Sequence, residues 1–275
     1  MILKEFNFKQ TGIQSWNEIF AHPRPITLKI IKTGKVVINR RGTINPDHPD
    51  AGNVPSEDLE VPIISYLVHH EDKGYYLLDA GLDALYHLDP HGGLEGSDLD
   101  EFYLGVNENI AYYLNAIKLN GIYFSHLHAD HAAGQRELSK DVPHVVGKGE
   151  YDDYHPEIHG DFLEGMEILQ VIDFSEADFV PPLGFIVDLL GDGSLWAIST
   201  PGHTRGHISF LLNGSEGPVF LTMDAAFIYE NLEYGVAPSD YTWDVDLAQK
   251  TLENIIKFLE EYPQVKVGAG HEVLK

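Results

Sequence analysis

The sequence lacks cysteine entirely, since none of its 275 residues is one. Disulfide scaffolds, thiolate-bound zinc and cysteine nucleophiles are therefore excluded, and any metal ion must be bound by nitrogen and oxygen atoms. Basic residues are also scarce: 18 Lys and Arg stand against 43 Asp and Glu, which gives a formal net charge of −25. This negative charge repels nucleic-acid phosphates and anionic lipids, so we expect neither nucleic acid nor a membrane as a partner.

Long apolar segments are missing as well. No window approaches the ~18 continuous apolar residues of a membrane span, and the N-terminal segment carries Lys4, Glu5 and Lys9 where a secretion signal would be apolar. The sequence thus predicts a soluble cytoplasmic protein. With 43% apolar residues and no composition typical of a linker, the chain is expected to form a single domain over residues 1–275.

Apolar alternation and turn residues predict mostly strands. In the first half, residues 26–30 and 35–38 are expected to form a hairpin around Thr33 and Gly34. Two further strands flank a turn at 71–74, and a polar, glycine-rich segment at 87–101 suggests a loop or lid. Apolar residues at intervals of three and four positions then predict a helix at 106–117, followed by a strand at 121–125.

The second half repeats this order of elements. Its predicted strands cover residues 184–190, 194–200, 207–213 and 218–224, and a last strand lies at 264–267. A helix with Asp244 as its N-cap precedes that last strand. Two successive blocks, each mostly strands and then a helix, predict an α+β protein in which two sheets pack face to face with helices outside, a four-layer sandwich.

A cluster of metal-ligand side chains follows the strand at 121–125. His126 and His128 lie two residues apart, a spacing at which both imidazoles can bind one ion. Asp130 and His131 come next, before small residues that permit a tight turn, and can face a second ion. The alternative is a group of hydrated loop histidines, but crowding them after a buried strand would cost hydration without compensation.

Three further ligand-type residues stand at the ends of later strands. His203 follows the strand at 194–200, Asp224 ends the strand at 218–224, and His271 lies just past the last strand in a glycine turn. Each alone is typical of a surface residue. Together with the cluster they predict a metal site in which Asp224 and both histidines complete the ligand set.

These motifs resemble those of the metallo-β-lactamase superfamily. HLHADH at 126–131 matches its HxHxDH signature, and STPGHTRGH at 199–207, LTMD at 221–224 and GAGH at 268–271 follow in the family's order. The resemblance implies an αβ/βα sandwich with two divalent metal ions, zinc above all, with manganese and iron as alternatives. One ion would bind His126, His128 and His203; the other would bind Asp130, His131 and His271; Asp224 and a hydroxide would bridge them.

Within the superfamily, the sequence is most similar to the N-acyl homoserine lactonases. Missing cysteine argues against the β-lactam hydrolases that use a cysteine ligand, His128 stands where flavodiiron proteins have glutamate, and the net charge opposes the tRNA-processing nucleases. Glyoxalase II carries a further helical region after its last histidine, whereas this sequence ends four residues beyond His271. The implied reaction is hydroxide attack on a small lactone or ester, with Asp130 as the proton donor to the leaving alkoxide.

Two other reactions stay open at this point. The same metal centre would suit a phosphotriester or phosphodiester hydrolase, and a mononuclear iron oxygenase of the persulfide type uses a subset of the ligands. All seven ligand positions are filled, which disfavours the oxygenase. The zinc-centred hydrolase of a small-molecule lactone or ester is therefore the leading prediction.

One position departs from the lactonase pattern. Those enzymes have a tyrosine three residues after the bridging aspartate, and Phe227 stands there, which cannot donate a hydrogen bond. Phe227 and Tyr229 are expected to contact substrate. Tyr229 or Tyr234 could supply the missing phenol from the same loop, and packing is an equal alternative for both. The aromatics of 227–236, with segments 83–101 and 150–183, suit a pocket wall for an apolar group and equally a homodimer interface.

Overall fold

The strands of the chain form two mixed sheets. The computed structural model describes residues 1–92, 101–156 and 160–274. An eight-stranded sheet contains β1 (Ile2–Glu5), β2 (Ile26–Asn39), β3 (Asp58–His70), β4 (Gly74–Leu78), β5 (Glu101–Tyr103), β6 (Leu119–Tyr123), β7 (His144–Gly147) and β8 (Ile168–Ile172). A six-stranded sheet contains β9 (Asp178–Val180), β10 (Gly184–Asp188), β11 (Leu195–Ser199), β12 (Ile208–Gly214), β13 (Gly217–Met223) and β14 (Lys266–Ala269). Each half of the chain therefore builds its own sheet.

The ligand-type residues predicted from the sequence follow β6 in the first sheet and β11, β13 and β14 in the second. β6 lies in the middle of its sheet, and β13 and β14 lie at one side of theirs. The first sheet runs β1-β8-β7-β6-β4-β3-β2-β5, with parallel pairs from β1 to β4 and antiparallel pairs from β4 to β5. The second runs β14-β13-β12-β11-β10-β9, and its β13–β14 pair is parallel. Parallel neighbours end at the same edge, so the turns after them lie close together.

The hairpin predicted around Thr33 and Gly34 is wrong. Residues 26–39 form the single long strand β2, which pairs along its length with β3. The register shifts between Lys32 and Lys35, so Thr33 and Gly34 form an irregularity within the strand instead of a reversal. The cause lies in β3, whose 13 residues offer hydrogen-bonding partners on both sides of the irregularity.

Short helices lie between the strands, and one long helix comes late in the chain. They are α1 (Trp16–Phe20), α2 (Arg40–Thr43), α3 (Ile110–Leu114), α4 (Ala129–Ala132), α5 (Tyr229–Tyr234) and α6 (Val245–Glu261). The helix predicted at 106–117 is shorter than expected, because Asn115 has a φ of 41° and ends it. Asp244 caps α6 as predicted, accepting a 2.9 Å hydrogen bond from the Leu247 amide.

Buried apolar side chains form three successive layers. One layer covers the outer face of the first sheet and includes Ile110 and Leu114 of α3. A second lies between the sheets, where Tyr66 and Leu78 meet side chains such as Phe210. The third packs α1 and α6 on the second sheet. These three apolar layers lie between four layers of secondary structure: helices, the first sheet, the second sheet and helices. The predicted four-layer α+β sandwich is therefore confirmed.

No helix within the described ranges is both long and apolar enough to span a bilayer.

The contact between α6 and α1 generates a stability prediction. Phe258 is fully buried, and its ring centroid lies 5.0 Å from that of Trp16 and 5.5 Å from that of Phe220. Phe258→Ala should lower the free energy of unfolding by about 3–5 kcal/mol, because it leaves a cavity in the outer core. Denaturant titration measures the change. The exposed neighbour Lys257→Ala is the control, and equal effects of the two substitutions would contradict this packing.

Candidate metal centre

The turn after β6 presents the first four ligand-type side chains. His128 has extended backbone angles and precedes α4, so the chain changes from strand to helix within the HLHADH motif. The carbonyl of His131 accepts a hydrogen bond from Ala80 (2.7 Å), which ties α4 to the loop after β4. A Cβ at Gly134 would lie 2.2 Å from the Ala80 carbonyl oxygen. The glycine is therefore needed for this close approach.

Three histidines form the first cluster. The Nε2 atom of His203 lies 3.2 Å from His126 Nε2 and 3.0 Å from His128 Nδ1, and the latter two atoms are 3.0 Å apart. His126 and His203 are buried, whereas His128 is partly exposed. The first cluster thus joins the turn after β6 to the turn after β11 and opens towards solvent at His128.

Asp130, His131, Asp224 and His271 form the second cluster. The Nε2 atoms of His131 and His271 lie 3.5 and 3.4 Å from Asp130 Oδ2. The same nitrogens lie 3.3 Å from Asp224 Oδ1 and 3.6 Å from Asp224 Oδ2, respectively. Asp130 is the partly exposed member of this cluster.

Asp224 faces both clusters. Its Oδ2 lies 3.7 Å from His126 Nε2 and 3.5 Å from His203 Nε2, while its Oδ1 faces His131. A Cβ at Gly270 would lie 2.3 Å from Asp224 Oδ1, so a glycine before His271 leaves room for the carboxylate. All seven residues singled out in the sequence are thus brought together, in the two groups that the resemblance implied.

The donor atoms fit divalent metal ions. Four ligands around a tetrahedral zinc ion, each about 2.0–2.1 Å from it, stand roughly 3.3 Å apart, close to the separations in the first cluster. In the second cluster, His131 Nε2 and Asp224 Oδ1 are buried without a hydrogen-bond partner among the described residues. A cation would satisfy both atoms at once. The residues therefore fit the binding of divalent metal ions.

Asp79 orients one histidine of each cluster. Its Oδ2 accepts a 2.7 Å hydrogen bond from His131 Nδ1 and another from the Ser125 hydroxyl, while its Oδ1 accepts the Ser125 amide. The Ser125 oxygen lies 2.9 Å from His126 Nδ1 and accepts its proton. Both imidazoles therefore carry their proton on Nδ1 and direct Nε2 into a cluster. A φ of 55° shows that Asp79 also forms the turn.

His207 holds the main chain of Asp224. Its Nε2 accepts a 3.1 Å hydrogen bond from the Asp224 amide, so the ring proton is on Nδ1. Nδ1 donates a 2.9 Å hydrogen bond to the Thr200 hydroxyl. That hydroxyl lies 2.9 Å from Ser209 Oγ, which donates to the Thr222 carbonyl. Burial lowers the pKa of His207 to about 3, which keeps the imidazole neutral. His207 therefore supports the position of Asp224 without belonging to either cluster.

The two clusters differ in their electrostatics. Burial lowers the pKa of His126 and of His203 well below the ordinary value, and neighbouring imidazoles add to this effect. In the second cluster, burial opposes the charged form of His131, but the carboxylates of Asp224, Asp130 and Asp79 outweigh it and raise the pKa. His126 and His203 are thus uncharged at neutral pH, as metal ligands must be, while a cation at the second cluster would displace a proton from His131.

Phe227 lies against the centre, but Tyr229 does not present its hydroxyl there. The Phe227 ring centroid is 5.1 Å from that of His203 and 5.7 Å from that of His271. The Tyr229 hydroxyl donates to the main-chain carbonyls of Val267 and Val273, at 2.9 and 3.1 Å. The Tyr229 hydroxyl is therefore engaged by the C-terminal turn, and the expected contact of Tyr229 with substrate stays a prediction.

Sequence reasoning missed two residues of this region. Ser125 links Asp79 to His126, although a serine before a histidine carries no pattern that would have revealed it. Tyr241 lies with its ring centroid 6.5 Å from that of His128 and is 54% exposed. Its φ of 52° brings the ring there, which periodicity cannot show. Much of the predicted lid, at 93–100, and residues 157–159 of the predicted pocket wall lie outside the described residues.

The Asp79 network predicts a metal-binding defect. In Asp79→Asn an amide NH₂ replaces one acceptor oxygen and faces a donor, so His131 and His126 lose their fixed orientation. Metal affinity should fall roughly 10–100-fold, as is typical when a partner of a metal-binding histidine is changed. Competition with a chromophoric chelator measures it. Asp83→Asn is the control, because that buried carboxylate contacts Leu85 and Arg136 instead of an imidazole; an equal loss there would contradict the role of Asp79.

Comparisons with known proteins identify the family of this chain. A family model described as the metallo-beta-lactamase superfamily matches residues 60–262. The N-acyl homoserine lactonase AttM of Rhizobium johnstonii is 28% identical over 230 residues, covering 78% of this chain and 83% of that protein. An N-acyl homoserine lactonase of a Bacillus species is 30% identical over 237 residues, covering 81% of this chain and 87% of that protein.

A solved structure shares the fold. It is a mutant of Bacillus thuringiensis AiiA with N-decanoyl-L-homoserine bound at its active site, and its 21% identity covers 92% of this chain and 95% of that one with a TM-score of 0.71. The family match spans more than half of the present chain, and the matched residues include six of the seven ligand-type side chains. This chain therefore belongs to the metallo-β-lactamase superfamily and is a metal-dependent hydrolase that resembles its lactonases.

Proposed function

We propose that the protein hydrolyses a small lactone of the N-acyl homoserine lactone class at a centre of two divalent metal ions. The observation that carries the proposal is the meeting of two ligand clusters around one shared carboxylate, Asp224. One ion would bind His126, His128 and His203, and the other Asp130, His131 and His271. The lactonases similar to this chain over about four fifths of its length support the substrate class.

Zinc is the metal that we propose for both positions. The donors are imidazole nitrogens and carboxylate oxygens without any thiolate, a set that zinc accepts readily. When bound, such ions would lower the pKa of a nearby water molecule and polarise a carbonyl oxygen.

The residues of the chain would divide the remaining work. Asp224, held through its amide by His207, fixes the distance between the two ligand groups. Asp130 stands at the solvent side of the second cluster, with 14% of its side chain exposed. From there its carboxyl group can reach a bound ester, and we propose that it delivers the proton to the leaving alkoxide of the opened ring.

Aromatic side chains would bind the rest of the substrate. Phe227 packs against His203 and His271 and offers an apolar surface to the ring or acyl group. Tyr241 stands beside His128, where that histidine is partly exposed. The phenol that Phe227 lacks would then come from a different segment of the chain.

A phosphotriester or phosphodiester is the second candidate substrate, and Phe227 is the observation that favours it. A phenol at that position would hydrogen-bond to a lactone carbonyl, whereas a phenyl ring cannot. Phe227 thus selects by shape more than by hydrogen bonding. The same pair of ions would serve a phosphoryl centre equally well.

Removal of one ligand from either cluster should abolish turnover. His128→Ala empties a position of the first cluster, and Asp224→Ala removes the shared carboxylate. Each variant should lose more kcat/KM than the roughly 10–100-fold typical of a change outside the ligand set, while circular dichroism stays that of the parent. His22→Ala is the control, because His22 is an exposed histidine that belongs to neither cluster.

Metal analysis separates the dinuclear centre from a mononuclear one. The parent protein should bind two equivalents of metal per chain, and His128→Ala should bind fewer. A single equivalent in the parent, or substantial activity in either ligand variant, would contradict the proposed centre.

The substitution Phe227→Tyr tests the substrate class. It should raise kcat/KM for homoserine lactones relative to aryl esters and phosphotriesters, because the new phenol can donate to the lactone carbonyl. Phe227→Leu controls for the loss of the ring. If Phe227→Tyr raised phosphotriester hydrolysis and left the lactones unchanged, the second candidate substrate would replace the first.

A further inference from the structure

Glu150 is a buried carboxylate that neither metal cluster contains. It begins a 3₁₀ helix at Glu150–Asp153, shortly after β7, and is 2% exposed. Placing a carboxylate in the interior costs hydration free energy unless hydrogen bonds replace the lost water. The hydrogen bonds that replace this lost water therefore indicate the structural role of Glu150.

Both oxygens of Glu150 accept hydrogen bonds, and they do so from two different loops. Oε1 accepts the amide of Leu127 at 2.9 Å, and Leu127 lies between His126 and His128. Oε2 accepts the hydroxyl of Thr204 at 2.6 Å and the amide of Gly206 at 3.2 Å. Thr204 directly follows His203, so one carboxylate joins the two loops that supply the first cluster.

The main chain around Glu150 is packed against the same loop. A Cβ at Gly147 would lie 2.0 Å from the Gly206 carbonyl oxygen, and a Cβ at Gly206 would lie 2.7 Å from the Glu150 amide nitrogen. The Gly206 loop and the end of β7 therefore meet backbone to backbone. Glu150 is held at a fixed distance from Thr204 and cannot move outwards without breaking this contact.

We propose that Glu150 is a positioning residue for the first metal ion. Its carboxylate sets the separation of the His126–His128 turn from the His203 turn, so that three imidazole nitrogens converge to 3.0–3.2 Å. Without it, each turn would have to be ordered by the metal itself, at a cost in affinity. This inference rests on the proposed metal centre, and it concerns the first cluster alone.

An amide could not replace the carboxylate. Every group that faces Glu150 is a donor: two main-chain amides and one hydroxyl. In Glu150→Gln the side chain keeps its size, but its NH₂ group must face the Leu127 amide on one side or Thr204 and Gly206 on the other. One loop would then be pushed away from the other.

The test is a titration of metal-free Glu150→Gln with Co²⁺, followed by visible absorption. The parent should bind two equivalents, and His128→Ala identifies which of them belongs to the first cluster. Glu150→Gln should lower the Co²⁺ affinity of the first cluster roughly 10–100-fold. The Co²⁺ affinity of the second cluster should stay within about twofold of the parent value. Loss of affinity restricted to one ion is a result that general destabilisation would not produce.

Asp188→Asn is the matched control. Asp188 is also a buried carboxylate, 8% exposed, and it accepts three main-chain amides from Leu190, Gly191 and Gly193 in a turn remote from the metal centre. Its substitution should lower the Tm of the metal-free protein but leave both Co²⁺ affinities unchanged. Equal effects of Glu150→Gln and Asp188→Asn on the two affinities would overturn the proposal.

Thr204→Val provides a second variant if Glu150→Gln does not fold. It removes one donor to the carboxylate with little change in shape, and it should weaken the same equivalent to a smaller extent. If the parent binds two equivalents and the variants keep both Co²⁺ affinities, the proposed role of Glu150 is overturned and the dinuclear centre stands. A parent that binds fewer than two would overturn the dinuclear centre and this inference with it.

Discussion

The convergence of buried imidazoles on one buried carboxylate is the constraint on which this structure depends. Asp224 lies within 3.7 Å of ring nitrogens from four histidines, and it is 2% exposed. Such a group has lost its water, and hydrogen bonds alone do not satisfy all its atoms. Divalent cations supply the missing charge, which explains why a chain without cysteine keeps so many nitrogen and oxygen donors in its interior.

The two sheets bring these donors to one place. The turn after β6 in the first sheet carries His126 to His131, and turns after β11, β13 and β14 in the second carry the rest. Their separation is fixed by the apolar layer between the sheets, where large side chains such as Tyr66 and Phe210 are fully buried. A rigid packed layer thus holds ligands that are far apart in sequence at the spacing a metal ion needs.

A second set of polar residues prevents the imidazoles from turning. Asp79 and Ser125 fix the protons of His131 and His126, the carbonyl of Pro62 lies 3.1 Å from His271 Nδ1, and His207 anchors the Asp224 amide. With Glu150 joining two loops, hydrogen bonds from the protein itself orient most of the ligand-type side chains. The exposed edge at His128 and Asp130 is where the centre meets solvent, and a substrate would enter there.

The sequence by itself determined the seven ligand-type residues and the two blocks of strands, because both depend on local patterns. Short motifs at strand ends indicate the ligand-type residues, and apolar periodicity indicates the strands. The sequence misjudged Thr33 and Gly34, which interrupt a long strand, since only pairing with β3 distinguishes a bulge from a turn. Nor did it reveal that the Tyr229 hydroxyl binds the C-terminal turn. Tertiary structure alone decided the contacts of Ser125, Glu150 and Tyr241, because hydrogen bonds and ring contacts between loops distant in sequence leave no periodic pattern.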